Sequence, residues 1–308
     1  MFAKLTYYIL ILPLSHLPLR VLYIFTDFFY LLILTVVPYR KSVIESNIAR
    51  SFPNKTPRER RAIKRKFYRH FTDLLAEGIK NLSISERSIR KRMTVSNPEL
   101  MNDLFDRKKN VILVSGHYNN WEWLVSSQDL LFKHKAIGIG MPLSSGFWDK
   151  KINERRSRFG MTVVHAKNYQ EELDRRKDEI KAVLVLSDQS PGNSSKSYWM
   201  DFLNQPTAVL FGTELMANTL DYAVVYFTTH KVRRGYYQME LKLITDAPKT
   251  MKWGEITEMH TRYLEQEILK KPHYWLWSHK RWKREVPENL EQLKTEQRER
   301  FNSKFNRQ

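Results

Sequence analysis

The stretch Val111-Ile-Leu-Val-Ser-Gly-His-Tyr-Asn-Asn-Trp-Glu-Trp123 decides how the chain folds. Val111 to Val114 are aliphatic and mostly β-branched, as in a buried strand. Ser115 and Gly116 break the run, and from Trp121 apolar residues recur at helical spacing through Leu124 and Val125. The reading is a strand, a tight turn and a helix. His117 falls in the turn, and Glu122 follows five residues on. Five residues of an ideal helix subtend about 140°, so the two side chains meet only if His117 precedes the helix, where the pattern puts it. A carboxylate bonded to one imidazole nitrogen fixes the tautomer and raises the basicity of the other, which a general base for a hydroxyl requires. The plainer alternative is a histidine that satisfies a helix N-terminus. Spacing alone does not decide: with 9 His and 33 Asp and Glu in 308 residues, about one His-x4-acid pair is expected by chance. The second such pair, His260 with Glu265, sits inside an unbroken helical pattern (Ile256, Met259, Tyr263, Leu264, Ile268) and reads as surface helix.

Downstream, strand patterns fall at 136–141, 161–165, 182–187, 223–229 and 237–244, with helical patterns at 121–133, 147–159, 169–180 and 207–220. The alternation predicts an α/β fold, a mixed and mainly parallel sheet with helices on both faces. In such sheets the ligand crevice lies beyond the carboxyl ends of strands, and two of those ends carry Ser115-Gly116-His117 and Ser187-Asp188-Gln189. Upstream, residues 39–53 read as a polar helix with Ile44 and Ile48 on one face. Thr56 caps a long amphipathic helix that starts at Pro57 and runs to about Asn81, with Ile63, Phe67, Phe71, Leu74 and Leu75 inside and arginines and lysines outside. Short helices follow near 84–92 and 98–106.

The expected organisation is a hydrophobic membrane-anchor segment over 1–38, a main domain over 39–288 and a charged C-terminal tail over 289–308, whose helix is expected to fray. Leu5 to Leu19 and Val21 to Val37 are apolar, separated by Arg20, with Asp27 the only other charge and Pro13 and Pro18 as breaks. Each piece is short of the roughly 20 residues of a span. They suit a kinked re-entrant or interfacial anchor or one tilted span, and a buried helix pair is the alternative. A basic start followed by a small-residue cleavage site is lacking, so a cleaved signal peptide is not expected. The basic residues after Val37 put the main domain on the cytoplasmic side.

A formal net charge of +19 calls for a polyanionic partner: nucleic acid, an anionic membrane surface or a phosphorylated substrate. The absence of cysteine excludes disulfides, thiolate catalysis and thiolate metal sites. Asp188 and Gln189 at a strand end could hold a substrate or an arginine, or Asp188 could cap the following turn. Arg156 and Arg158 offer bidentate donors to phosphate, although arginines at a helix C-terminus also suit the macrodipole. Trp275-Leu-Trp-Ser-His-Lys-Arg-Trp-Lys283 sets three indoles among cations, which suits a membrane interface or a base-stacking surface.

Taken in order, the apolar anchor, Arg40 with Asn47 and Phe52-Pro53, the Gly116-His-Tyr-Asn-Asn-Trp-Glu122 block, Arg156-Ser-Arg158-Phe-Gly, Asp188-Gln189 and Trp277-Ser-His-Lys-Arg-Trp282 resemble the lipid A biosynthesis (lauroyl/myristoyl) acyltransferases of the lysophospholipid acyltransferase superfamily. The resemblance covers roughly residues 1 to 285. It implies a membrane-bound O-acyltransferase on the cytoplasmic face of a bacterial inner membrane, acting in lipopolysaccharide synthesis. The enzyme would move a fatty acyl chain from an acyl carrier protein (or CoA) thioester to a hydroxyl of a lipid A precursor. It further implies His117 as base and Glu122 as its orienter, Arg156 and Arg158 on phosphate, and Asp188, Gln189 and Asn120 about the acceptor. The partners implied are a membrane lipid acceptor, acyl carrier protein and an anionic membrane surface, with no nucleic acid, cofactor or metal. Many relatives have Gly where Asn119 stands, and an aromatic pair with Gly at Phe202-Leu203-Asn204, so oxyanion donors and acceptor identity stay open: a lysophospholipid, ornithine lipid or glycolipid would fit the same chemistry. Competing readings are a metal hydrolase, with His117 and Glu122 joined by His165 or Asp188, and a non-enzymatic membrane or nucleic-acid binder.

Overall fold

The computed structural model describes residues 2–37 and 39–307. The sheet is organised on β2 (Val111–Ser115), whose residues are all buried. It pairs in parallel on one side with β5 (Lys181–Leu186), Ser115 opposite Leu186, and on the other with β8 (Ala223–Arg233), Val114 opposite Tyr226. The seven strands run in the order β1-β9-β8-β2-β5-β3-β4, with β1 at Met93–Val95, β3 at Lys135–Gly140, β4 at Thr162–His165 and β9 at Tyr236–Thr245. All neighbours are parallel except β8 and β9, a long antiparallel hairpin. A separate hairpin joins β6 (Tyr198–Phe202) to β7 (Gln205–Val209).

The alternation along β2 divides the core, since successive side chains of a strand point to opposite faces. Ile112 and Val114 enter one apolar layer with Ile44, Phe67, Ile256, Leu264, Trp275 and Trp277. Val111 and Leu113 enter the other with Leu19, Leu22, Trp123 and Leu124. Both faces of the sheet are therefore covered, as the continuous apolar run of β2 requires of a central parallel strand.

In chain order the helices are α1 (Phe2–Leu5), a π-helical stretch Thr6–Ile11, α2 (Leu12–His16), α3 (Leu19–Thr35), α4 (Lys41–Ser51), α5 (Pro57–Lys80), α6 (Glu86–Arg92), α7 (Glu99–Asp106), α8 (Trp121–Leu131), α9 (Gly146–Arg156), α10 (Tyr169–Arg175), α11 (Gly212–Leu220), α12 (Glu255–Lys270) and α13 (Leu290–Lys304). The start of α5 is a capping box: the Glu59 N–H donates to Thr56 Oγ1 at 3.3 Å, the Thr56 N–H donates to Glu59 Oε2 at 2.7 Å, and Pro57 fills the first turn.

The N-terminal segment, expected as a re-entrant or interfacial anchor, one tilted span or a buried helix pair, packs as helices against the body. No helix among the described residues is long and apolar enough to cross a membrane. Instead α3 lies along α5 with Leu19, Leu22, Tyr23, Thr26 and Ile33 buried, while Ile24, Phe25, Phe28 and Leu31 are more than half exposed. Asp27 explains this side-on packing, since it faces the body and pairs with Arg69 and Arg234. The helix thus carries one ion-paired face toward the body and one exposed apolar face.

Three local expectations are also revised. The helix expected over 207–220 begins only at Gly212, because Leu203 and Asn204 both take positive φ, 51° and 63°, and close the two-residue turn of the β6–β7 hairpin. A short apolar run such as Thr207-Ala-Val209 does not by itself distinguish helix from strand. His260 is 3% exposed rather than on a surface helix, and burial holds its imidazole down to about 3. The charged C-terminal helix α13 docks at its end, with Phe301 buried edge-on to Phe211 and Arg307 donating to the Pro248 carbonyl at 3.0 Å.

Candidate active site

Parallel pairing of β2 and β5 brings their carboxyl ends out side by side, so His117, two residues past Ser115, meets Asp188, two residues past Leu186. The contact is two-pronged: the His117 backbone N–H donates to Asp188 Oδ2 at 2.9 Å, and the ring Nδ1 lies 2.6 Å from Oδ1. That geometry assigns the ring proton to Nδ1 and leaves Nε2 as the basic nitrogen. Trp275 Nε1 donates to Asp188 Oδ2 at 2.8 Å. Burial alone would raise the Asp188 carboxyl, but the facing His117 and these hydrogen bonds outweigh it and hold it down to about 2. The Gln189 amide nitrogen lies 3.4 Å from His117 Nε2, and the Trp121 ring stands edge-on to the imidazole, centroids 5.0 Å apart.

Gly116 makes this approach possible. A Cβ there would stand 2.6 Å from Leu264 Cδ2 and 2.9 Å from Asp188 Cγ. Gly116→Ala is therefore expected to push Asp188 off the imidazole, costing about 1–3 kcal/mol as an overpacked core position. Turnover should fall by about tenfold or more, because a displaced orienting group weakens general-base catalysis. Thermal unfolding alongside steady-state kinetics checks it; unchanged turnover would show that Asp188 does not depend on this close approach.

Glu122, expected beside His117, has its hydrogen bonds elsewhere. It sits in the first turn of α8, where Arg156 makes a two-point contact with it, Nε to Oε2 at 3.2 Å and Nη2 to Oε1 at 2.6 Å, and Arg155 pairs with Oε2. Burial opposes ionisation, yet the Arg155 and Arg156 charges hold the Glu122 carboxyl down to about 2. The cause of the swap is the cap of α8. Asn120 accepts from the Trp123 N–H at 2.9 Å through Oδ1 and donates to Glu77 Oε2 at 2.6 Å through Nδ2, which starts the helix with Glu122 turned toward α9. Asn120, expected at the acceptor, thus holds α8 in place.

Arg156, expected on phosphate, is engaged with Glu122. Arg158 donates to the carbonyls of Asn81 at 2.8 Å and Ile84 at 3.1 Å, and so caps the end of α5. His165 lies on β4, 3.6 Å from Asp149, away from the His117–Asp188 pair, and among the described residues no group of three His, Cys, Asp or Glu is placed to hold a metal ion.

The Trp275 to Lys283 stretch, expected as a membrane or base-stacking surface, turns Trp275, Trp277, Ser278 and Arg281 into the core behind the site and leaves Lys280 and Lys283 exposed. Trp275, Trp277 and Arg281 are at most 2% exposed. The Asn47 amide donates to the carbonyls of Trp277 and His279, and Arg40 to that of Ser278. Sequence patterning missed this because aromatic residues among cations look alike in a core and at an interface. It missed Arg155 and Glu77 for the same kind of reason: nothing near them in the chain marks them. Glu77, wholly buried in α5, accepts from Tyr23 at 2.6 Å, Tyr237 at 2.8 Å and Asn120, and burial raises its carboxyl to about 6 against those hydrogen bonds.

Beside the site opens a cavity of about 330 Å³, lined mainly by apolar side chains from the N-terminal segment (Tyr7, Ile11), α5 (Phe71, Leu74, Leu75) and α9 (Trp148, Ile152). Trp121 and Glu122 also line it, with Lys151 and Arg155 the cations on its wall. An imidazole steered by a carboxylate, next to an apolar cavity lined in part by the π-helical stretch Thr6–Ile11, is an arrangement for chemistry on a molecule with a long apolar part.

Residues 2–284 match the family model for bacterial lipid A biosynthesis acyltransferases. The chain belongs to that acyltransferase family, as its motifs led one to expect. No curated protein matches it.

Proposed function

We propose that the protein transfers a fatty acyl chain from a thioester, carried by acyl carrier protein or CoA, to a hydroxyl of a lipid A precursor held at a membrane surface. The observation that carries the reading is the His117 Nδ1 to Asp188 contact of 2.6 Å at paired strand ends, beside the 330 Å³ apolar cavity. Nε2 of His117 takes the acceptor's hydroxyl proton as the oxygen attacks the thioester carbonyl, Asp188 stabilises the imidazolium, and the collapsing tetrahedral intermediate forms the ester, breaks the C–S bond and returns the proton to the thiolate. Gln189 is the side-chain donor nearest that nitrogen and supports the developing negative charge. The cavity takes the acyl chain. Arg155 and Lys151 on its wall, balanced in part by Glu122, meet the phosphate of the acceptor or donor.

The outer face of α5, with Arg58, Arg61, Arg65 and Lys66, suits an acidic donor protein, and the exposed apolar side of α3 suits the inner leaflet of a bacterial membrane with the sheet domain in the cytoplasm. The deciding measurement is mass spectrometry of lipid products after incubating the purified protein with acyl carrier protein and CoA thioesters and a phosphorylated diglucosamine acceptor. One added acyl chain, absent with His117→Ala, supports the reading. Acylation of a lysophospholipid or ornithine lipid instead would move the acceptor while leaving the chemistry intact, and hydrolysis abolished by chelation would replace transferase with metal hydrolase.

A further inference from the structure

A second cavity, of about 270 Å³, lies apart from the apolar one, between α3, the end of α6 and the tip of the β8–β9 hairpin. Arg20, Tyr23, Arg92, Arg233, Arg234 and Tyr236 line it. Arg234 is fully engaged, with Asp27 on one side and Asp73 on the other, and those two acids also serve Arg69 and Lys231. Arg20, Arg92 and Arg233 have no carboxylate partner among the described residues. Arg92 donates to Ser88 Oγ and the Gly235 carbonyl, and the Arg92 and Arg233 guanidiniums both lie on the Tyr236 ring, at 4.6 and 3.9 Å from its centroid. Like charges gathered without acids repel one another, and an anion in the cavity would relieve that repulsion.

The hairpin tip is built to stay there. Gly235 has φ 73°, and a Cβ on it would stand 2.6 Å from Tyr23 Oη and 3.1 Å from Arg92 Nη1, so only glycine lets the tip seat against α3. The surroundings say where the anion comes from. Arg20, Ile24 and Phe28 are four residues apart and share one side of α3. Ile24 and Phe28 are 69% and 71% exposed, and Val232, next to Arg233 on the hairpin, is 66% exposed. A guanidinium at the end of an exposed apolar stripe sits at headgroup depth when that stripe enters a bilayer.

From this geometry we infer that the cavity is a seat for the phosphate headgroup of an anionic membrane lipid that is not the substrate, fixing α3 on the bilayer. The inference rests on the interfacial placement of α3 and not on the acyl-transfer chemistry. Co-sedimentation of the full chain with phosphatidylcholine vesicles, with and without phosphatidylglycerol, tests it. The variant Arg20→Gln/Arg233→Gln removes two exposed arginines that make no ion pair and so leaves folding intact. Arg175→Gln/Arg298→Gln removes the same charge from exposed positions outside the cavity.

The first variant is expected to lose about tenfold or more of its affinity for the anionic vesicles, with binding to neutral ones unchanged and the second variant within about twofold of the parent. An equal fall in both variants would show diffuse charge attraction in place of a site, and no fall in either would remove the site altogether. Binding of glycerol 3-phosphate in solution, undiminished by the lack of a bilayer, would reassign the cavity to a soluble phosphate ester. His117→Ala should bind vesicles like the parent, so failure here and failure of the acyl-transfer reading are told apart.

Discussion

His117→Ala lowers the rate of acyl transfer by about 10³-fold or more while shifting stability by no more than about 1 kcal/mol, since general-base assistance alone is worth 10²–10⁴. The imidazole is 16% exposed, and its loss leaves Asp188 still bonded to the His117 backbone N–H and to Trp275, so no buried charge is stranded. Asp188→Asn is expected to cost nearly as much in turnover. An amide facing Nδ1 no longer compensates the imidazolium and can donate where the ring must donate, which favours the wrong tautomer. In serine hydrolases the same exchange costs about 10⁴. The pair is tested by kinetics and thermal unfolding of both variants. A fall in unfolding temperature matching the fall in activity would mark the contact as structural.

Acid unfolding supplies a second readout of the same carboxylate. Asp188 is held below its ordinary value, so it adds stability at pH above about 4 that is lost as pH falls toward 2, on the order of 2 kcal/mol. Asp188→Asn removes that dependence, and the acid limb of the stability profile becomes shallower.

Glu122→Ala is expected to act the other way round, mainly on stability. It strands Arg155, on the wall of the apolar cavity, and Arg156 beside it, and removing one partner of such a pair costs about 3 kcal/mol or more. The Glu122 side chain is 21% exposed, which places the loss at the lower end of that range. The folded fraction should keep its base catalysis and show a raised KM, because the Arg155 guanidinium is no longer held on the cavity wall. Glu122→Gln, which keeps the shape and loses the charge, should fall between the parent and the alanine variant in unfolding temperature. A collapse of kcat in Glu122→Gln with unchanged unfolding temperature would restore Glu122 to the role of orienter. As with Asp188, the carboxyl is held below its ordinary value, so this part of the stability is present above about pH 4.5 and fades as pH falls toward 2.

The exchange of Asp188 for Glu122 shows where sequence reading reaches its limit. His-x4-Glu is a spacing along one strand-turn-helix unit, and it fixes only that the two residues are near. Which side of α8 Glu122 faces depends on the Asn120 cap, and that cap is itself fixed by Glu77, more than forty residues away in α5. Arg156 and Arg158 were legible as arginines near a helix end, but their partners, Glu122 on one side and the Asn81 and Ile84 carbonyls on the other, come from α8 and the end of α5. The Trp275 to Lys283 stretch was legible as aromatic and basic. Whether that composition meets lipid or forms the core turns on a carboxylate at position 188 and on an amide at position 47.

The sequence by itself determined the strand-turn-helix around His117, the alternation of strands and helices that dictates a covered, mainly parallel sheet, the apolar character of the N-terminal segment and the family. These follow from periodicity and local turn chemistry, which act over a few residues. Only the tertiary structure decided which acid steers His117, because that choice rests on the parallel register of β2 with β5, set by the packing of two layers across 71 residues of chain. The Arg20, Arg92 and Arg233 cavity was decided the same way, by a hairpin tip that only glycine lets close against α3.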